Sequence, residues 1–215
     1  MTNGSIGRWS SFAVFLIGLA YVVALGAGFA VYGLSAPITG RLLAIMESLT
    51  LSAAPLLIAM MAAIHGRARA ERRTMSTIAL AFMILASGIT SGVHFVGLTA
   101  HRQLGIGDLV WPSTAYALEL LAWDVFLGFS LGVAALTFND SGRERRVRRT
   151  MLACAALCLC GTTGPLTGNM RLQFIGIVGY GGVLPLACLL LSRLFRDEED
   201  AHGHRDGHIG GPQPM

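Results

Sequence analysis

Glu47, His94, Glu119 and Asp124 are four ionisable residues set in stretches otherwise apolar enough to cross a lipid bilayer. A charge held in hydrocarbon costs at least ~2.5 to 3.5 kcal/mol on insertion scales, so such groups face a protein interior and are kept for a task. A carboxylic acid in an apolar pocket holds its proton tightly enough to act as a general acid, while a neighbouring imidazole or second carboxylate serves as base. That chemistry suits proton transfer to an alkene or epoxide of a lipid-soluble substrate. The same residue types also serve proton-coupled transport, and one His with three carboxylates would suit a harder transition metal. The paired Glu-x-x-His signature of di-iron bundles is absent, and the expectation is no metal and no other cofactor.

The elements that must position these groups follow from composition. The chain of 215 residues is 53% hydrophobic and only 13% charged, with a mean hydropathy of +0.62, whereas a soluble domain carries roughly 25% charged residues. Apolar runs at about 11 to 33, 42 to 64, 75 to 99, 115 to 138, 150 to 167 and 172 to 195 are each near or above the ~17 to 25 residues that a spanning helix needs. The expected fold is all-α, a polytopic integral membrane protein with a bundle of six transmembrane helices. It occupies residues 1–196, and residues 197–215 form a polar tail expected to be disordered.

Arginine placement fixes orientation, because basic loops stay in the cytoplasm. Arg8, Arg67, Arg69, Arg72, Arg73, Arg143, Arg145, Arg146, Arg148, Arg149, Arg193 and Arg196 all fall on one side of six spans. The opposite side has only Arg41, Arg102 and Arg171. Both termini are therefore expected in the cytoplasm, with the chain multi-pass in the cell membrane. The basic residues flank helix ends, so they read as topology signals and contacts to anionic lipid rather than a nucleic-acid surface.

Topology then assigns depth. Glu47 is about five residues into helix two, ~8 Å from the outer face at 1.5 Å per residue, and Asp124 is ~14 Å deep in helix four. His94 is near the outer end of helix three, where Ser87, Thr90, Ser91, His94 and His101 form one stripe at helical spacing. Glu119 shares a face with Trp123, and its shallow position is also explained by snorkelling to the interface. Asn169 and Tyr180 bring further polar groups to the same half. The expected proton-handling residues are Glu47, His94 and Asp124, with Thr50, Thr90, Ser91, Glu119, Trp123, Asn169 and Tyr180 contacting substrate.

Other features read blandly. Cys154, Cys158, Cys160 and Cys188 lack the two-residue gap of a redox or zinc pair and are expected to be packed thiols. His202, His204 and His208 are expected in a solvated tail rather than at a metal. Glycines of helix one (Gly18, Gly26, Gly28) and helix six (Gly176, Gly179, Gly181, Gly182) are expected to make small-residue packing faces.

The run Met46, Glu47, Ser48, Leu49, Thr50, followed by Pro55 and Leu56, resembles the Met-Glu-x-x-Thr then Pro-Leu pattern of the EXPERA-type sterol isomerase family. Those are multi-helix membrane proteins that shift a sterol double bond. The resemblance covers roughly residues 20 to 138 and implies that Glu47 and Thr50 line an isomerisation pocket to which Trp123 contributes. It also departs from the family: helix one has no ionisable residue between Phe12 and Leu34, where the family has a catalytic His and Glu. Separately, Ala122, Trp123 and Asp124 resemble the Trp-acid motif of small integral-membrane terpene cyclases, although aromatics form only 8% of the chain.

The leading expectation is an intramembrane acid-base enzyme acting on an isoprenoid or sterol-like lipid by double-bond isomerisation or cyclisation. The alternatives are a small proton-coupled transporter or permease, and a non-catalytic membrane partner whose basic loops make contacts. Membrane lipid and a hydrophobic small molecule are the expected partners, with self-association open and nucleic acid excluded.

Overall fold

The computed structural model describes residues 2–34, 36–104 and 110–209, and of residues 202–209 it describes the backbone alone. Among the described residues six helices are long and apolar enough to cross a membrane: α1 Asn3–Tyr32, α2 Gly40–Arg67, α3 Ala70–Leu104, α4 Thr114–Ala135, α5 Gly142–Thr167 and α6 Phe174–Ala201. Each packs on its neighbours in sequence and α6 returns to α1, so the bundle closes as a ring.

Local chemistry sets the helix ends. The Thr2 side chain accepts from the Ser5 amide at 3.2 Å, and Ser113 accepts from the Tyr116 amide at 3.2 Å, each satisfying an otherwise orphaned donor of a first turn. Gly33 ends α1 at φ 81°, a conformation glycine adopts without steric cost.

The ring is filled unevenly. Met60, Met61, Ile64, Met83, Leu127, Leu131, Phe138, Met151, Leu191 and Phe195 are fully buried and pack the half nearest the basic end. Methionine suits this role because its flexible thioether fills irregular gaps between helices. The other half holds a cavity, described below.

The basic end is tied by ion pairs. Arg67 of α2 reaches Glu144 of α5 at 2.8 Å and Glu198 of α6 at 2.5 Å, with its guanidinium 5.0 Å above the Phe138 ring. Arg8 lies 3.4 Å from Glu199, and Arg143 pairs with Asp197. These acids follow residue 196, where the tail was expected to begin, yet the helical backbone of α6 continues to Ile209. The physical reason is that Asp197, Glu198 and Glu199 each find an arginine from another helix, which offsets the entropy of ordering this turn. The side chains of His202, His204 and His208, and all of residues 210–215, lie outside the described residues.

Glycine packing is confirmed at some positions and not others. A β-carbon at Gly18 would overlap Pro185, and one at Gly176 would overlap Asp124 and crowd Gly161. Nothing lies within 4 Å of such an atom at Gly26 or Gly182, so these two are not packing sites among the described residues.

Three helices contain a wider, π-type turn: Gly97–His101 in α3, Leu121–Phe126 in α4 and Val178–Val183 in α6. Such turns concentrate at functional sites, and all three adjoin the cavity half. Pro185 accounts for the one in α6, since proline has no amide proton and its ring crowds the carbonyl four residues earlier.

Candidate functional site

The cavity is enclosed by α1, α2, α3, α4 and α6 and measures about 140 Å³. Val14, Ile17, Leu43, Met46, Leu57, Leu120 and Leu184 give it an apolar surface. Polar groups enter at a few points: Glu47 and Thr50 from α2, His94 from α3, Tyr116 and Glu119 from α4, Tyr21 from α1 and Tyr180 from α6.

His94 and Glu119 form the tightest contact. Nε2 of the imidazole lies 2.8 Å from Oε1 of the carboxylate, and His94 is only 6% exposed. His94 Nδ1 and Glu119 Oε2 are buried and have no hydrogen-bond partner among the described residues. Buried polar atoms of native proteins are rarely left so.

Glu47 is 3% exposed and also rests against α3. A β-carbon at Gly97 would overlap its carboxylate, so the glycine makes room for it one turn beyond His94. Arg102, on the next turn, places a guanidinium nitrogen 3.9 Å from Glu47 Oε2. The Thr50 hydroxyl donates to the Met46 carbonyl at 2.9 Å, and the residue lines the cavity.

No protein-family model, curated protein or solved structure matches this chain. Its chemistry must therefore be read from the geometry of these residues.

Glu47, Thr50, His94, Glu119, Trp123 and Tyr180 are brought together on one cavity. Asp124 is not among them. It is 0% exposed but points away, into the seam between α5 and α6, against Gly161 and Gly176. Adjacent helical residues differ by about 100° in direction, so with Trp123 on the cavity wall its neighbour faces elsewhere. The π turn Leu121–Phe126 carries both.

The stripe on α3 also divides. Ser87 and Thr90 line a separate space of about 10 Å³ with Trp123 and Leu127, while Ser91 lines neither space and is half-buried. His94 projects between the directions of Ser87 and Thr90 but lies farther along α3, about 10 Å from Ser87 at 1.5 Å per residue, so depth along the helix divides the stripe. Asn169 is exposed on the turn between α5 and α6, where its Oδ1 accepts from the Arg171 amide at 3.2 Å. It serves the turn.

Three residues were missed. Tyr21, Tyr116 and Gln173 belong to the site or its support, Gln173 through contacts to Asp124 and Tyr180. Of the chain's four tyrosines, three line the cavity together with Trp123. The low aromatic content of the whole chain concealed this concentration. The Trp123 and Tyr180 rings lie 5.4 Å apart.

Proposed function

We propose that the protein is an intramembrane acid-base enzyme that shifts a double bond or closes a ring in an isoprenoid lipid. The observation that carries this reading is the His94 and Glu119 pair, 2.8 Å apart, on the wall of an apolar cavity that also holds Glu47 and four aromatic side chains.

The balance of the reaction is simple. A protonated member of the pair delivers its proton to one carbon of an alkene, leaving a positive charge on the other. Loss of a proton from an adjacent carbon to Glu47 gives the shifted double bond; attack by a second alkene before that loss gives a ring. One proton enters and one leaves. Trp123, Tyr21, Tyr116 and Tyr180 offer aromatic faces to the transient cation, a contact that gains strength in a desolvated site. Arg102 balances the negative charge of the acceptor.

Size favours an isoprenoid over a fused sterol. The cavity of about 140 Å³ is close to the roughly 150 Å³ of an engineered protein cavity that holds benzene. It takes one isoprene-sized or single-ring portion of a lipid. The EXPERA-type resemblance accords with Glu47, Thr50 and Trp123 lining this cavity, while His94 and Glu119 fill the role of the acid pair that helix one lacks.

In this reading the basic end faces the cytoplasm, both termini lie there, and substrate enters from the outer leaflet of the cell membrane. The test is a comparison of lipid extracts from membranes with and without the protein. A product of unchanged mass with a displaced double bond or a new ring supports the proposal; identical extracts sink it.

A proton-coupled transporter is the second reading, favoured by the closure of the basic end through Arg67, Glu144 and Glu198 opposite the cavity half. It requires solute flux driven by a pH gradient in proteoliposomes.

A further inference from the structure

Asp124 stands outside the cavity, yet a hydrogen-bonded chain leads from it to the cavity wall. Gln173 Nε2 lies 3.4 Å from Asp124 Oδ2 and 3.0 Å from the Tyr180 hydroxyl oxygen. Asp124 at 0% and the central Gln173 at 2% exposure are deeply placed, and Tyr180 at the cavity end is half-buried. The three residues come from α4, the turn before α6, and α6 itself.

The identity of the partners sets the direction of the chain. A side-chain amide carries two protons on its nitrogen and none on its oxygen. Both contacts are made by that nitrogen to oxygen atoms, so Gln173 donates twice, once to the carboxyl group and once to the phenol. A phenol oxygen that accepts still has its own proton to give. No protein acceptor for the Tyr180 proton occurs among the described residues, and Tyr180 lines the cavity. The ring itself is held 5.4 Å from that of Trp123, and Asp124 is seated where Gly161 and Gly176 leave space for it.

We infer that Asp124 and Gln173 are positioning residues that make Tyr180 a hydrogen-bond donor into the cavity, which selects an apolar ligand carrying an acceptor oxygen such as a carbonyl, epoxide or ether. The inference rests on the proposed function only in taking the cavity as the substrate site. It narrows the substrate class from any isoprenoid alkene to an oxygen-bearing one.

Cyclohexanone is a suitable probe, being a single apolar ring with one carbonyl. Its infrared carbonyl band is measured with the full-length chain in detergent, against detergent alone. The expected result is an additional band at lower frequency, which disappears in Tyr180→Phe. Gln173→Glu keeps the shape but presents an acceptor to Tyr180, so it should also abolish the band; a purely structural glutamine would leave it in place. Asp124→Asn should weaken it. A band that persists in Tyr180→Phe or Gln173→Glu overturns the inference while leaving the cavity as a ligand site. If no protein-dependent band forms at all, both the cavity as a ligand site and this inference fail. Turnover is not needed for any of these readouts, so they separate the inference from the reaction itself.

Discussion

His94 of α3 and Glu119 of α4 meet at 2.8 Å, Nε2 to Oε1, with the remaining nitrogen and oxygen of the pair buried and without a hydrogen-bond partner among the described residues. This contact, made across two helices that lie side by side in the ring, puts an imidazole and a carboxylate together on the cavity wall. Asp124, the deeper acid by sequence, lies behind the wall.

Replacing Glu119 by Gln keeps the shape of the pair and removes its acidity. General acid-base catalysis contributes typically about 10² to 10⁴-fold, so product formation should fall by at least about 100-fold with the variant still folded. Asp124→Asn, which touches no substrate, should lose less. Product yield per mole of folded protein, measured for both variants, checks the order; a larger loss for Asp124→Asn contradicts it.

Trp123 contributes an aromatic face beside Tyr180. Cation-π contacts are worth about 0.5 to 2 kcal/mol, which corresponds to a loss of roughly 2- to 30-fold in turnover for Trp123→Leu. Trp123→Phe should retain most of the rate. Equal rates for wild type and Trp123→Leu would remove the cationic intermediate from the mechanism.

Gly176 is a steric prediction. Its replacement by Ala puts a methyl group into Asp124 and crowds Gly161, and overpacking of this kind costs about 1 to 3 kcal/mol. Gly182→Ala, with nothing within 4 Å, is the matched control. Thermal unfolding in detergent should show a lower midpoint for the first and little change for the second.

Arg67 joins α2 to α5 and α6 through Glu144 and Glu198. The group is partly buried, between the exposed pairs worth about 0 to 1 kcal/mol and the buried ones whose disruption costs about 3 to 5. Arg67→Met should therefore lower stability by about 1 to 3 kcal/mol without changing turnover of the folded fraction. Loss of activity without loss of stability would instead mark this cluster as part of the working cycle, as the transporter reading requires.

Much of the fold was legible in the sequence because bilayer thickness imposes a length on every apolar run, and six such runs agree with the arginine parity. The closure of the ring through α1 and α6 was not, since nothing in a run says which neighbour it meets. In the site, Glu47 and Thr50 share a helical face and both reach the cavity. Trp123 and Asp124 show the limit: two adjacent residues necessarily face different ways, and sequence gives no sign of which one turns inward. The shallow position of Glu119 gives no sign that it meets His94; its partner on another helix is a tertiary fact. Gln173 did carry a signal. An amide at the start of an apolar run is costly to bury unpaired, which marks it as one of the polar groups of the outer half with Tyr180, but its contact with Asp124 on another helix is a tertiary fact.

Proton transfer to a lipid carbon would leave solvent hydrogen bound there, which deuterium labelling detects. The purified protein is incubated with an isoprenoid lipid extract in D₂O, and products are analysed by mass spectrometry. The expected product carries one solvent deuteron on carbon and is formed by wild type and not by Glu119→Gln. A product free of deuterium, or equal labelling by wild type and Glu119→Gln, would contradict this proton transfer.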